Sequence, residues 1–335
     1  MAHRFPVEQM PQLAKDFAAY KLTIQGCSQK TIDEYLSDLR LFFKFIYAKR
    51  TGVKIPSEFF DKLSISTLDT DFITSISTEE IYDFFIYLSN ERGNNSSAKA
   101  RKLSAIKAFY KFVCTKRRLM EKNPAIDIEA PKKKQSLPKF LSMEESIALL
   151  NAVENDKESK TIERDYAIIT LFLNCGMRLS ELVGINLNDL DRELRSLRVL
   201  GKGNKERIVY LNDACRSALT TYLIIRKSEK YSKLGTNALF ISKQYKRISN
   251  KTVQWLVYKY LELAGLDYKH YSTHKLRHTA ATLMYQTGKV DVRVLKEILG
   301  HEQLNTTQIY THVSNKGMQD AMDNNPLASI KKVKK

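Results

Sequence analysis

A proline- and lysine-rich segment in the middle of the chain limits most strongly what the sequence can fold into. Pro124, Pro131 and Pro138 interrupt helical periodicity there, and three consecutive lysines follow Pro131. Proline lacks a backbone donor and disfavours the helical conformation of the preceding residue, so a helix is not expected to continue through this segment. At 335 residues the chain is long enough for two cores. We therefore predict domains at residues 1–118 and 139–316, a linker at 119–138 and a tail at 317–335.

The first domain is predicted to be entirely helical, with four or five helices. Apolar residues recur at helical spacing from Ile32 to Ile46, and Ser28 or Thr31 is placed to cap that helix. A second helix is predicted from Ser97 to Phe112. Residues 51–78 contain proline and many hydroxyl side chains, which indicates a long connection leading to a helix over residues 79–88.

The second domain is predicted to be mostly helical with one pair of strands. Ser142 and Glu145 have the S-x-x-E spacing of a capping box, so a helix is expected to begin there. Residues 197–200 and 208–211 are predicted strands on either side of a turn rich in glycine and lysine. The predicted fold class is mainly α with a small β-sheet.

The charge of the chain favours an anionic partner. The formal net charge is +18, with +6 up to Arg118 and +12 in the remainder, and the pI is near 9.5. Nucleic acid is the first interpretation and an anionic membrane the second. No apolar run approaches the ~20 residues that a spanning helix needs, so no membrane partner is expected. The four cysteines form no CxxC pair, which favours a reducing cytoplasm.

Several cationic side chains have the chemistry of a phosphodiester site. Arginine forms two parallel hydrogen bonds with a phosphate, and Arg178 and Arg277 are candidates, with Glu181 one turn after Arg178 to orient its guanidinium. His274 and Arg277 are three residues apart, so we expect them to share an outward helix face opposite Leu276 and Ala280. His301 and His274 can donate hydrogen bonds or pass a proton.

A lysine and a tyrosine complete the candidate set. Lys202 projects from the hairpin turn between two glycines and can act as a general acid, with Lys205 as its rival. Tyr310, nine residues after His301, is the candidate nucleophile, in a helix that Asn305 can cap.

Each of these residues also has an ordinary structural interpretation. An Arg–Glu pair three residues apart is usually a surface ion pair, and a charged turn is usually only solvated. Most of the 17 tyrosines are expected to be packing residues. Five of the six histidines, however, lie between His270 and His312, which favours a shared site; His278 and His312 are predicted to be structural. Lys275 stands where a zinc protease motif needs glutamate, and no Walker A motif occurs, so neither zinc nor ATP is expected.

Taken together, these motifs resemble the tyrosine recombinase (phage integrase) family, and within it the Xer-type enzymes. The resemblance rests on six positions in the family's order, Arg178, Lys202, His274, Arg277, His301 and Tyr310, and on the helical first domain and basic linker. It implies a helical core-binding domain, a mixed α/β catalytic domain and strand cleavage through a 3′-phosphotyrosyl link, with no metal or nucleotide cofactor.

The resemblance also implies partners. Double-stranded DNA would be enclosed by the two domains. Candidate phosphate contacts are Arg101, Lys102, Lys107 and Lys111 on the second predicted helix, where a stripe of charge can also be only a solvated face, and Lys205 in the hairpin turn. Four protomers would assemble on two sites, as a homo-tetramer or with a related recombinase, and the tail would dock on a neighbour or on its own domain. The expected location is the cytoplasm, in association with the nucleoid.

Two other functions are also compatible with the sequence. A type IB topoisomerase uses the same phosphotyrosine chemistry without exchanging strands, and a DNA-binding regulator can retain the fold without the chemistry. The separate core-binding domain and the tail favour a recombinase. Chromosome dimer resolution, mobile-element integration and DNA inversion are all compatible with the sequence.

Overall fold

The computed structural model describes residues 5–131, 139–201, 205–228, 235–269, 271–288 and 290–300. The chain divides into two compact units, Met1–Gln135 and Ser136–Lys335. Within the described ranges, no helix is long and apolar enough to cross a membrane.

The first unit is a bundle of helices. Its elements are α1 (Gln12–Thr23), α2 (Gln29–Thr51), α3 (Glu58–Lys62), α4 (Thr70–Thr74), α5 (Thr78–Asn90) and α6 (Ser96–Phe112), which continues into a π-helical turn at Val113–Arg117. The predicted helices correspond to α2, α5 and α6, and Ser28 caps α2 by accepting from the backbone of Thr31. The predicted connection over residues 51–78 contains the two short helices α3 and α4, so the described part of this unit has six α-helices where four or five were predicted.

Aromatic side chains fill the core of this unit. Phe17, Phe43 and Phe109 are fully buried, and the ring of Phe109 lies edge-on to the other two at centroid distances of 5.6 and 5.4 Å. Edge-to-face packing adds a favourable contribution to the burial of each ring. These contacts join α1, α2 and α6.

The second unit combines helices with one hairpin. Its elements are α7 (Met143–Glu154), α8 (Ile162–Cys175), α9 (Leu179–Gly184), β1 (Ser196–Leu200), β2 (Glu206–Tyr210), α10 (Asp213–Arg226), α11 (Asn250–Leu263), α12 (Thr273–Gln286) and α13 (Val292–Leu299). The predicted capping box at Ser142 and Glu145 is present. Helix α8 is buried along most of its length and packs against α7, α10 and α12.

The hairpin has a defined inner and outer face. Strands β1 and β2 are antiparallel, with Leu197 opposite Val209 and Val199 opposite Arg207. Leu197, Val199 and Val209 are buried, so these pairs face the core, while Ile208 and Tyr210 point outward. The two predicted strands are confirmed, and Arg207 occupies an inward position.

One expectation about α12 is wrong. His274 and Arg277 were expected to share an outward face, and His274 is exposed. Arg277, however, is buried like Leu276 and Ala280, with 3% of its surface exposed. The guanidinium can be buried because backbone carbonyls from two other segments receive its hydrogen bonds. Helical spacing predicted the face of the helix correctly for His274 alone.

Candidate active site

Arg178 lies where α8 ends and α9 begins. Gly176 closes α8 with a φ of +58°, and a Cβ at this position would lie 2.9 Å from Leu299. The backbone N–H of Arg178 then donates to the Glu181 carboxylate at 2.7 Å, and its Nη1 donates to the same group at 2.8 Å. The predicted pair is therefore present, and 33% of the Arg178 side chain remains exposed.

Glu181 is the carboxylate around which the site is organised. It is 1% exposed, and it also accepts a hydrogen bond of 2.9 Å from Nη2 of Arg207. Nη1 of Arg277 lies 3.9 Å from the same oxygen. Burial alone would raise the pKa of Glu181, but the hydrogen bonds and charges of Arg207 and Arg178 outweigh burial and lower the pKa. The ionised carboxylate therefore offsets part of the charge of three arginines.

Arg277 joins two segments that are distant in the sequence. Its Nη1 donates to the carbonyl of Gly176 at 2.8 Å, and its Nη2 donates to the carbonyl of Leu299 at 2.6 Å. Buried charges persist where hydrogen bonds replace their lost hydration. The guanidinium is thus held in a fixed orientation between the α8–α9 loop and the end of α13.

The end of α13 presents three consecutive carbonyls to the three arginines. Arg207 donates to the carbonyl of Ile298 at 2.6 Å, Arg277 to that of Leu299, and Arg178 to that of Gly300 at 2.8 Å. The last carbonyls of a helix have no partner within the helix and carry the negative end of its dipole. Cations are favourable at this position, so α13 and the arginine cluster stabilise each other.

His274 begins the exposed side of α12, close to this cluster. Packed atoms around its ring, together with the charges of Arg277, Lys275 and Arg178, lower the pKa of His274. The ring lies 4.7 Å from that of His278, measured between centroids. A neutral imidazole at physiological pH can accept a proton or donate one hydrogen bond, depending on its tautomer.

Three of the six predicted reactive residues, Lys202, His301 and Tyr310, lie outside the described residues. Their roles remain predictions. Lys205 is exposed, and its carbonyl accepts a hydrogen bond of 2.7 Å from Gly201 at the base of the hairpin turn.

No group of His, Cys, Asp and Glu side chains in the described part of the chain is arranged to hold a metal ion.

Comparison with known proteins identifies the family. Residues 139–316 match the phage integrase family, and residues 13–118 match the N-terminal SAM-like domain of phage integrases. A tyrosine recombinase XerC from Caldanaerobacter subterraneus subsp. tengcongensis is 46% identical over 320 residues, which cover 95% of this chain and 88% of the relative. The chain belongs to the phage integrase family of tyrosine recombinases.

Other members of the family agree in sequence and in fold. A tyrosine recombinase XerC from Thermodesulfovibrio yellowstonii is 35% identical over 302 residues, covering 89% of this chain and 91% of the relative. The crystal structure of XerH site-specific recombinase bound to palindromic difH substrate superposes with a TM-score of 0.68 at 21% identity, covering 97% of this chain and 98% of that one. The predicted family and fold class are therefore confirmed.

The cations of α6 that were predicted to contact phosphates differ in accessibility. Lys102 is buried and donates to the buried carboxylate of Asp38 at 2.7 Å, and Arg101 donates to the other oxygen of Asp38. Lys107 donates to the carbonyl of Ile126. Arg101 and Lys111 are exposed, so they are the better placed of the four for a phosphate contact.

The sequence interpretation assigned no role to Arg207. Its position nevertheless contained a signal, because inward-facing residues of a two-residue repeat are expected to be apolar. In β2, Val209 and Arg207 share the inner face, so a charged residue there requires a buried partner. Glu181 and the carbonyl of Ile298 are those partners.

Proposed function

We propose that this recombinase cleaves and rejoins DNA at a specific duplex site, with Tyr310 as the nucleophile. The observation that supports this proposal is the convergence of Arg178 and Arg277 on Glu181 and on the end of α13. The chain leads directly from Gly300 at this end to His301, and it reaches Tyr310 nine residues later. The segment that carries His301 and Tyr310 therefore begins at the point where Arg178 and Arg277 converge.

Cleavage would proceed by in-line displacement at phosphorus. The phenol of Tyr310 gives its proton to a neighbouring imidazole, for which His274 and His301 are the candidates, as its oxygen forms a bond to phosphorus. The bond to the 5′ oxygen breaks, and that oxygen takes a proton from Lys202 acting as the general acid. The products are a 3′-phosphotyrosyl link and a free 5′-hydroxyl. Attack by a 5′-hydroxyl on the link reverses the same steps, so the energy of the phosphodiester is conserved without ATP.

Arg178 and Arg277 would stabilise the charge that develops on the non-bridging oxygens. A third of the Arg178 side chain is exposed, so this arginine is the more accessible of the two to a phosphate. Donors that are already fixed before the reaction need no reorganisation when charge develops, and each typically contributes ~3 to 4 kcal/mol to transition-state stabilisation. His274 and His301 would donate hydrogen bonds to the same phosphate or accept the proton of the Tyr310 phenol.

The proposed biological role is of the Xer type. We propose chromosome dimer resolution, rather than mobile-element integration or inversion, for this chain, whose relatives are named tyrosine recombinase XerC. Four protomers, identical or paired with a related recombinase, would act on two sites; a lambda integrase, which shares the fold, has been crystallised as a tetramer on a Holliday junction. We expect the enzyme to act in the cytoplasm on nucleoid DNA.

Covalent trapping tests the proposal. Wild-type protein is incubated with nicked duplexes prepared from the source genome and then separated on a denaturing gel. We expect an adduct with wild type and none with Tyr310→Phe, although both bind DNA on a native gel. Arg178→Ala and Arg277→Ala should each slow adduct formation by about 100-fold or more, since each removes one fixed donor.

The outcomes separate the alternatives. An adduct in Tyr310→Phe would refute the nucleophile assignment, and a loss of less than about tenfold in an arginine variant would show that this arginine is structural. DNA binding without any adduct would favour a regulator. Trapped DNA from one chromosomal locus would support dimer resolution, whereas trapped element ends would support integration.

A further inference from the structure

Arg207 follows the hairpin turn that contains Lys202 and faces the interior. It lies opposite Val199 in the register of β1 and β2, and 15% of its side chain is exposed. Arg198, on the outer face of the same hairpin, keeps 48% of its side chain exposed and pairs with Asp189. The hairpin therefore has one arginine on each face, and only Arg207 enters the arginine cluster.

The two hydrogen bonds of Arg207 connect three parts of the site. Nη2 donates to Glu181, which also holds Arg178, and Nη1 donates to the carbonyl of Ile298 at the end of α13. A planar guanidinium fixes both partners in one geometry, which a lysine ammonium cannot do. A displacement of β2 would therefore disturb both its contact with Glu181 in α9 and its contact with the end of α13.

Two glycines show how closely the hairpin approaches this cluster. A Cβ at Gly300 would lie 2.8 Å from Cδ of Arg207 and 2.9 Å from its Nε. A Cβ at Gly201, the residue before Lys202, would lie 3.7 Å from Glu181 and 3.3 Å from the carbonyl of Lys205. The side chain of Arg207 thus packs against Gly300 at the end of α13, and Gly201 at the base of the turn lies next to Glu181.

From this geometry we infer that Arg207 is a positioning residue for strand cleavage, which sets the hairpin, Glu181 and the end of α13 in a single arrangement. It does not contact the scissile phosphate itself. Its action is to hold β2 and Gly201, the last described residue before Lys202, against Glu181 and the end of α13, from which the chain continues to His301. This inference rests on the proposed recombinase function and adds a residue to it.

The expected effect of losing Arg207 falls on the chemical step. Arg207→Met retains the length of the side chain but removes both hydrogen bonds, so Glu181 loses a partner and β2 is no longer tied to the end of α13. A misalignment of about 1 Å at reacting groups can lower a rate on the order of 100-fold. DNA affinity should stay close to the wild-type value, because Arg207 is largely buried and the exposed cations of the chain are unchanged.

The experiment measures single-turnover cleavage of a nicked duplex and, separately, the Kd for the same duplex. Arg198→Met is the matched control, since it removes an arginine from the outer face of the same hairpin. We expect Arg207→Met to cleave on the order of 100-fold more slowly with Kd nearly unchanged, and Arg198→Met to retain the wild-type cleavage rate. Arg207→Lys should recover only part of the rate.

A double-mutant cycle tests the route through Glu181. Residues that act through each other show non-additive effects, so Glu181→Gln combined with Arg207→Met should lose little more than the worse single variant. Additive losses would overturn the assignment, as would a cleavage rate for Arg207→Met equal to that of the control. An equal loss of affinity and rate would instead identify Arg207 as a DNA-binding residue.

The two levels of the proposal can fail independently. If wild-type protein forms no adduct, the recombinase function fails; if wild type cleaves and Arg207→Met cleaves equally well, only this inference fails. Should Arg207→Met not fold, Arg207→Lys decides the question, because it keeps the charge and loses the planar fork. Wild-type cleavage by Arg207→Lys would then contradict the inference.

Discussion

At the scale of single residues, the candidate site depends on one buried carboxylate shared by several cations. The spacing of Arg178 and Glu181 predicted their pairing, because residues three apart on a helix are neighbours. The participation of Arg207 and Arg277 could not be predicted in the same way, since both reach Glu181 through tertiary contacts. Local spacing predicts contacts within one turn of helix, whereas the contacts of Arg207 and Arg277 with Glu181 depend on how β2 and α12 pack.

His278 gives the folded state a dependence on pH. Burial, with the charges of His274, Lys275 and Arg277, lowers the pKa of His278 from 6.5 to about 4. Between these pH values the unfolded chain binds a proton that the folded chain does not, so the free energy of unfolding decreases as pH falls from 6.5 towards 4. The ring is partly exposed, and solvent screening reduces the effect. We therefore expect protonation of His278 to lower the free energy of unfolding by about 1 kcal/mol between pH 7 and pH 5.

Urea unfolding followed by the fluorescence of Trp255, the one tryptophan, measures this effect in the second unit. The loss of stability between pH 7 and pH 5 should be smaller for His278→Gln than for wild type by that amount. The same pH dependence in both proteins would contradict the assignment.

At the scale of elements, no pattern in the sequence predicted that three arginines would bind the carbonyls at the end of α13. Capping residues and hydrophobic spacing predicted α2, α6, α7 and the hairpin, because each depends on neighbours within a few residues. The three arginines that donate hydrogen bonds to the carbonyls at the end of α13 come from three other parts of the fold. Their convergence is a property of the fold.

Gly300 tests how closely that end is packed. Its φ of +63° is unfavourable for a residue with a Cβ, and a Cβ would also meet Arg207. Gly265 has a similar φ of +68° but open space around it, so Gly265→Ala is a matched control for the backbone cost alone. We expect Gly265→Ala to lose about 1 kcal/mol of unfolding free energy and Gly300→Ala about 2 to 4 kcal/mol.

The same urea experiment compares the two variants. The additional loss in Gly300→Ala would arise from displacing a guanidinium that is fixed by two hydrogen bonds. Equal losses in both variants would mean that Arg207 moves aside at no cost, and the packing described for this site would then be incorrect.

At the scale of the whole molecule, hydrophobic spacing and the positions of prolines and turn residues predicted the general architecture. Helical spacing indicated a first unit of helices and a second with one hairpin, and both are present. The burial of Lys102 on Asp38 was not predicted, because a charge stripe along one helix does not reveal which side packs against α2. The domain boundaries, Lys202, His301, Tyr310 and the role of the tail remain predictions.

The identity of the nucleophile is the central claim, and mapping the covalent link tests it most directly. Adduct formed with a nicked duplex is digested with nuclease and trypsin, and the peptide that retains a nucleotide is sequenced by mass spectrometry. Trypsin should release residues 297–316, in which Tyr310 is the only tyrosine. We predict that the nucleotide is attached to Tyr310. A nucleotide on any other residue would contradict the account.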